Sequence, residues 1–277
     1  MISERVAGVF LCLAAAFAPA AAIAQCEAPR ALMSLGPALG RAAARVERGE
    51  ALTILAIGSS STQGVGATSP QASYPSRLEA ELKARFPGRT IRVINRGVGG
   101  EDAPEELARL GQVIAADQPD LVIWQVGTNA VLRRDDLAAD HRIIEDGVQF
   151  LKRSDVDVLL MDLQFAPRVL ERPSYPEMER VIGDVARQEH VGFFRRFEIM
   201  RDWSERRQFD PAPRDPSAMI GDDGLHMTDA SYACLAIDLA QALDGNWRSW
   251  RLVQGPAARR SSHTVAGLDR TAAPASP

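Results

Sequence analysis

The sequence at residues 52–61 is Leu52-Thr53-Ile54-Leu55-Ala56-Ile57-Gly58-Ser59-Ser60-Ser61. Its first six residues form an apolar run, which a glycine ends and three serines follow. A short apolar run bounded by glycine is typical of a buried strand in a parallel sheet. Ligands and catalytic groups gather where such strands end, so the segment predicts a strand with a candidate functional turn behind it.

Other parts of the chain repeat this pattern. Further apolar runs, which we interpret as strands, lie at residues 91–94, 121–126, 156–163 and 192–194. Segments with helical spacing connect these runs, because their apolar residues recur three, four or seven positions apart. They are Leu78, Leu82 and Phe86; Leu107, Leu110 and Ile114; Leu137, Ile144, Val148 and Leu151; and Met178, Val181, Ile182 and Val185. Strands that alternate with helices indicate βαβ units. We therefore predict an α/β fold, a three-layer α/β/α sandwich around a parallel five-stranded sheet.

The two ends of the chain differ from this central part. A weakly positive start, an apolar run to about Phe17 and the sequence Ala22-Ile23-Ala24 are typical of a signal peptide cleaved near Ala24. The apolar run is shorter than the ~20 residues of a membrane-spanning helix, so we expect export and no membrane segment in the mature chain. We divide the chain into a signal peptide (1–24), a helical extension (25–50, with a helix at 31–48), one domain (51–245, with its last helix at 229–243) and a mostly disordered tail (246–277), of which residues 255–277 should be dispensable.

Composition excludes several classes of protein. The 277 residues are 46% hydrophobic and 25% charged with a net charge of −4, which disfavours disordered, collagen-like and nucleic-acid-coating proteins. Three cysteines are too few for a disulfide scaffold or a four-cysteine zinc site, and we expect neither a metal nor an organic cofactor. In an oxidising compartment Cys26 and Cys234 either pair or remain separate thiols, and both alternatives stay open.

Three segments at predicted strand ends carry groups suited to acyl chemistry. A serine at residues 59–61 is a candidate nucleophile, and the backbone there offers free N–H groups. The next two segments, which can donate hydrogen bonds to an oxyanion, are Asn95-Arg96-Gly97-Val98-Gly99-Gly100-Glu101 and Gly127-Thr128-Asn129. Each segment alone is also compatible with a plain turn. A phosphate-binding loop is disfavoured because the Gly-Lys-Ser/Thr ending is absent.

A fourth segment supplies a candidate base. Asp223 precedes His226 by three residues, so its carboxylate can accept from one ring nitrogen and leave the other to take a serine proton. His141, His190 and His263 are interpreted as surface groups.

Together the four segments resemble the SGNH hydrolases, also called the GDSL esterase/lipase superfamily, over residues 51–243. The resemblance implies a flavodoxin-like fold with Ser60 as nucleophile and with Asp223 and His226 completing a triad. It also implies an oxyanion hole made by the backbone N–H groups of Ser60 and Gly100 and the side-chain amide of Asn129.

The sequence departs from the family pattern at two positions. Ser59 replaces the aspartate of the Gly-Asp-Ser motif, which affects loop support more than chemistry, and Ala130 replaces an aspartate that many members carry. A nucleophile one residue away, at Ser59 or Ser61, is the alternative assignment. The resemblance implies a serine esterase, and the predicted export makes acylated envelope glycans, small-molecule acyl esters and lysophospholipids the candidate substrates, with short O-acetyl-type groups as first choice. A non-catalytic glycan- or lipid-binding protein and an acyltransferase are the alternatives.

Overall fold

The computed structural model describes residues 28–133, 136–206 and 218–254. Its five strands are all parallel and lie in the order β2-β1-β3-β4-β5. They are β1 (Leu52–Gly58), β2 (Ile91–Gly97), β3 (Leu121–Gln125), β4 (Asp157–Met161) and β5 (Gly192–Phe194). This order is the flavodoxin-like one, so the predicted fold class is confirmed.

Helices connect the strands and flank the sheet. They are α1 (Gly40–Arg48), α2 (Ser60–Gln63), α3 (Tyr74–Arg85), α4 (Ala103–Asp117), α5 (Thr128–Arg133), α6 (Leu137–Arg153), α7 (Pro167–Leu170), α8 (Tyr175–Gln188), α9 (Arg196–Glu205) and α10 (Asp229–Gln254), with a short 3-10 turn at Pro70–Ala72. The start of α4 is fixed by a capping box between Asp102 and Glu105. No helix within the described ranges is both long and apolar enough to cross a membrane.

The sheet buries apolar side chains on both faces, because neighbouring residues of a strand point to opposite sides. In β1, Ile54 and Ala56 pack in a cluster with residues of α1, α3 and α10. Leu55 and Ile57 pack on the other face with residues of α4, α6 and α8. The two clusters join the sheet to the helices on each of its faces, and they keep β1 rigid. This strand leads into the turn at residues 59–61, called the serine turn below.

The last helix is longer than predicted. It continues from Asp229 to Gln254 rather than ending at residue 243, so a boundary at residue 245 falls inside it. The Asn246 side chain accepts from the Leu39 N–H at 2.9 Å and donates to the Pro37 carbonyl at 3.0 Å, and Trp247 is buried. These long-range contacts stabilise the extra turns, and local composition does not reveal them.

The first helix is shorter than predicted. It begins at Gly40 rather than residue 31, because Gly36 has φ +82° and Pro37 cannot continue a helix. The segment before it is nonetheless packed, with Leu35 and Leu39 both buried.

Several sequence predictions concern the chain ends. The predicted signal peptide, the tail from residue 255 onward, His263, Cys12 and Cys26 lie outside the described residues. Cys234 in α10 is buried and disulfide-bonded. The Ala28 N–H donates to Asp238 of the same helix at 3.4 Å, so the first described residue lies against α10.

A buried acid joins α4 to the sheet. Glu106 is 1% exposed, and its Oε2 accepts from the Trp124 indole N–H at 2.7 Å. Its Oε1 has no hydrogen-bond partner within the described part of the chain. Burial raises the pKa of Glu106 to about 8; the Trp124 hydrogen bond opposes this rise and the neighbouring Asp102 adds to it.

We expect Glu106→Gln to stabilise the protein at alkaline pH relative to acidic pH. Between the unfolded-state pKa of about 4.3 and the folded value, the native state holds a proton that unfolding releases, so wild-type stability falls as pH rises through this range. The amide removes this loss, which is on the order of 1 kcal/mol per pH unit. The difference between the melting temperatures at about pH 5 and about pH 9, compared between wild type and Glu106→Gln, measures this loss of stability. Glu105→Gln is the control, since the pKa of this neighbouring carboxyl is lowered; an equal alkaline gain in both variants would contradict the assignment.

Candidate active site

The candidate site lies at the carboxyl ends of β1 and β3, the point where the strand order reverses. Ser60 begins α2 directly behind β1, and its Oγ lies 2.9 Å from His226 Nε2. His226 Nδ1 in turn makes a short hydrogen bond to Asp223 Oδ2. The structure thus brings the three predicted residues into one hydrogen-bonded line, although Ser60 and His226 are 166 positions apart.

The loop before α10 holds the acid and the base in place. Asp223 Oδ1 accepts from the backbone N–H groups of Leu225 and His226, each at 2.9 Å, while Oδ2 faces the ring. Burial pushes the pKa of Asp223 upward, but the hydrogen bonds from His226 and from both amides outweigh it and hold the pKa below its usual value. Asp223 is therefore ionised at neutral pH, and its charge faces the imidazole. The neighbouring Asp222 is exposed.

The two serines beside Ser60 have a different environment. Both Ser59 and Ser61 are buried, and their hydroxyls donate to Gln125 Oε1 at 3.1 and 3.0 Å. The Ser59 N–H and the Thr62 hydroxyl donate to the same oxygen at 3.1 and 3.2 Å. The structure therefore places only Ser60, of the three serines, against the imidazole.

Gln125 is a residue that sequence reasoning missed. It ends β3 and fastens the serine turn to the neighbouring strand, the kind of loop support that we expected the missing motif aspartate to have given. Its position one residue before the Val126-Gly127-Thr128-Asn129 segment was the available signal. A polar side chain at the end of an otherwise apolar strand is a candidate for such a role.

The second segment packs closely against the serine turn. A Cβ on Gly97 would lie 2.1 Å from the Gln63 nitrogen, so only glycine permits this approach. The Gly99 N–H donates to Gln63 Oε1 at 2.8 Å, and Arg133 donates to the Gly100 carbonyl. Gly100 itself has φ +85°. These contacts hold the Gly99–Gly100 backbone beside Ser60.

The third segment contributes a side-chain amide. Asn129 lies in the first turn of α5, behind β3, and its Nδ2 donates to the Glu101 carbonyl at 2.7 Å. Within the described residues, the N–H groups of Ser60 and Gly100 have no hydrogen-bond acceptor. The site therefore presents two backbone donors next to an oriented amide at the edge of the sheet.

The other two histidines within the described residues lie outside the site. His141 lies on α6, and His190 follows α8 with φ +53°, each away from the serine turn. Across residues 28–133, 136–206 and 218–254, no group of three or more His, Cys, Asp or Glu side chains is placed to hold a metal ion.

Comparison with known proteins shows the family of this chain and its relatives. The family model described as "Non-GDSL lipase-like family" matches residues 25–247. The chain is 30% identical over 144 residues to Esterase TesA of Pseudomonas aeruginosa, covering 52% of this chain and 69% of that protein. It is 29% identical over 104 residues to an arylesterase of Vibrio mimicus, covering 38% of this chain but only 51% of that protein.

Solved structures show the same architecture. A crystal structure of TesA superposes with TM-score 0.59 at 25% identity, covering 70% of this chain and 99% of that one. A two-domain esterase active on acetylated mannans, co-crystallised with mannopentaose, gives 0.60 at 24% identity, over 78% of this chain and 55% of that one. An acetylxylan esterase from Geobacillus stearothermophilus gives 0.58 at 20% identity, over 71% and 95% of the two chains.

The family model spans most of the chain, and the relatives share its fold and the ester-hydrolase class. The chain therefore belongs to the Non-GDSL lipase-like family, a group of SGNH-type carboxylic ester hydrolases.

Proposed function

We propose that the protein hydrolyses carboxylic esters through an acyl-enzyme on Ser60, with His226 as general base and Asp223 as the acid that orients it. The observation that carries the proposal is the continuous line of hydrogen bonds from Ser60 Oγ through both nitrogens of His226 to Asp223. Asp223 accepts a hydrogen bond from the Nδ1–H group, so the ring proton stays on Nδ1 and the unprotonated Nε2 faces the serine hydroxyl.

In the first half-reaction Ser60 Oγ attacks the ester carbonyl while His226 Nε2 takes its proton. The tetrahedral intermediate collapses, the alcohol leaves with the proton that His226 returns, and the acyl group stays on Ser60. Water, deprotonated by His226 Nε2, then attacks this acyl ester, and the second tetrahedral intermediate releases the acid while His226 returns the proton to Ser60 Oγ. The ionised Asp223 stabilises the imidazolium that forms twice in each turnover.

The oxyanion of each intermediate needs donors that are already in place. We assign them to the N–H groups of Ser60 and Gly100 and to the Asn129 side chain. An amide carries two N–H bonds, and the Asn129 bond to the Glu101 carbonyl uses one of them. That bond fixes the plane of the amide and leaves the second N–H for the oxyanion.

Short acyl esters, of the O-acetyl type on a glycan or small molecule, are the substrates that we propose. Two structural neighbours are described as acting on acetylated mannans and acetylxylan, which supports this choice over long acyl chains. The signal-peptide pattern at residues 1–24 supports export and hence extracytoplasmic substrates.

Reaction with a fluorophosphonate probe, followed by peptide mapping, tests the mechanism. We expect one phosphonylated residue, Ser60, and loss of p-nitrophenyl acetate hydrolysis in step with labelling. Modification at Ser59 or Ser61 instead would contradict the assignment. A protein that neither reacts nor turns over any short acyl ester is a binding protein on this fold.

Asn129→Ala should lower kcat by about 10²–10³ with a small change in KM, since the amide donates most strongly once the oxyanion forms. The same substitution frees the Glu101 carbonyl, so the Gly100 loop also loses a tether. Steady-state kinetics on p-nitrophenyl acetate measure the effect. Asn129→Asp keeps the side chain's size but removes its donors and should be at least as impaired; near wild-type activity of the aspartate variant would refute the donor role.

A further inference from the structure

A buried arginine lies beneath the active site. Arg196 is the first residue of α9, is 0% exposed, and enters the protein between β4 and the serine turn. Its guanidinium donates to the Asp162 carbonyl at 2.5 Å, which anchors it to the end of β4. Its other hydrogen bonds lead to the two sides of the proposed oxyanion hole.

One path leads to the nucleophile. Arg196 Nη1 donates to Ser61 Oγ at 2.9 Å, and that hydroxyl donates onward to Gln125 Oε1 at 3.0 Å. Ser61 directly follows Ser60, whose N–H and Oγ both belong to the proposed chemistry. The position of Arg196 therefore bears on the position of the nucleophile through one intervening residue.

The other path leads to the asparagine. Arg196 Nη2 donates to Gln164 Oε1 at 3.0 Å, and the Thr128 hydroxyl donates to the same oxygen at 2.9 Å. Thr128 directly precedes Asn129. All five polar residues of the network, Ser61, Gln125, Thr128, Gln164 and Arg196, are buried, so these bonds form out of water.

The chemistry of the side chain suits this double contact. Burial lowers the pKa of Arg196 to about 10, so the guanidinium is still charged at neutral pH. Apolar side chains of similar volume often replace buried charges without loss of stability, so filling space does not require an arginine. What the planar guanidinium adds is a rigid fork that donates in several fixed directions at once, which a lysine ammonium cannot reproduce.

We propose that Arg196 is a positioning residue that sets the distance between the Ser60 and Asn129 halves of the oxyanion hole. It touches no reacting atom and acts through Ser61 on one side and through Gln164 and Thr128 on the other. The proposal rests on the proposed function, because the two halves matter for rate only if an oxyanion forms between them.

The test compares Arg196→Lys with Arg195→Met, the control at the neighbouring arginine. Arg195 donates to the carbonyls of Ala31 and Ser34, remote from the serine turn, so its loss reports general packing. We expect Arg196→Lys to lower kcat and the fluorophosphonate labelling rate by a similar factor of about 10–100, because displacements near 1 Å can cost about 100-fold. KM should change by less than about threefold, and the control should keep both rates.

Two milder variants decide the matter if the lysine variant does not fold. Ser61→Ala and Thr128→Val each remove one end of the connection. Because either break releases the same constraint, the double variant should lose hardly more kcat than the worse single variant. Losses that multiply in the double variant, or an Arg196→Lys enzyme with wild-type kcat, overturn the proposal.

Hydrogen exchange separates this proposal from the esterase assignment. If the wild-type protein shows neither turnover nor labelling, the esterase mechanism is refuted. Amide exchange in residues 60–65 and 128–133 does not depend on activity, so it can still test the role of Arg196. Faster exchange in both segments of Arg196→Lys, but not of Arg195→Met, supports the connection. A change in one segment or in neither overturns it, whatever the activity.

Discussion

Ser60→Ala should lower kcat by about 10⁵–10⁶ and leave KM and the melting temperature nearly unchanged. Under the proposed mechanism the Ser60 hydroxyl oxygen forms the acyl ester, so its loss removes the covalent route and leaves only what binding and the oxyanion donors provide. Alanine is a good helix former and fits the first residue of α2, while the Gln125 contacts of Ser59, Ser61 and Thr62 remain. Initial rates with p-nitrophenyl acetate at high enzyme concentration measure the residual activity.

His226→Ala and the double variant sharpen this prediction. Because Ser60 and His226 act on one proton, removing both should cost no more than removing either one. Ser59→Ala is the matched control, since that hydroxyl is buried against Gln125 and should affect rate far less. Two losses that multiply, or a Ser59→Ala enzyme as impaired as Ser60→Ala, would contradict the pairing seen at 2.9 Å.

Asp223→Asn should lower kcat by about 10³–10⁴ with KM little affected. The asparagine oxygen can still accept from the Leu225 and His226 N–H groups, so the loop should keep its shape. Its NH₂ group then faces Nδ1 and favours the tautomer with the proton on Nε2, which cannot accept a proton from Ser60. The loss therefore appears in the chemical step rather than in binding.

Asp222→Asn is the control for that measurement. Asp222 is exposed, directly precedes Asp223 and should be replaced with little change in rate. If Asp222→Asn abolishes activity and Asp223→Asn does not, the carboxylate partner of His226 is Asp222 instead of Asp223. Tolerance of both substitutions would leave His226 working without a carboxylate partner.

Local signals in the sequence were enough for the fold class and for the location of the candidate site. The apolar run that Gly58 ends locates β1 closely, and the short apolar run that Gly192 begins locates β5, because a buried parallel strand must be apolar on both faces. The spacing of Asp223 and His226 could also be interpreted from the sequence, because both residues lie in one local turn. The boundary of α10 was not predicted, because its final turns depend on Asn246 contacting the Pro37–Leu39 segment.

The residues that support the site were also not predicted. Gln125 and Arg196 contact groups 66 and 135 positions away in the chain. The polar end of an apolar strand was a signal for Gln125, whereas Arg196 lies in no recognisable pattern. The charged and aromatic sequence of α9 hides the fact that its first residue points inward. Hydrogen bonds between residues so far apart in the chain can be identified only in the folded structure, where the strands lie side by side.

The order of the residues along the chain also controls when chemistry becomes possible. A ribosome makes Ser60 early, but His226 comes 166 residues later and α10, which contacts α1 and α3, comes later still. Every nascent or truncated chain that ends before residue 226 therefore carries Ser60 without the residue that we propose as its base. Under the proposed mechanism, ester cleavage begins only after the loop before α10, which carries Asp223 and His226, has been synthesised. Hydrolysis of a chromogenic acetate therefore reports when the chain has been completed.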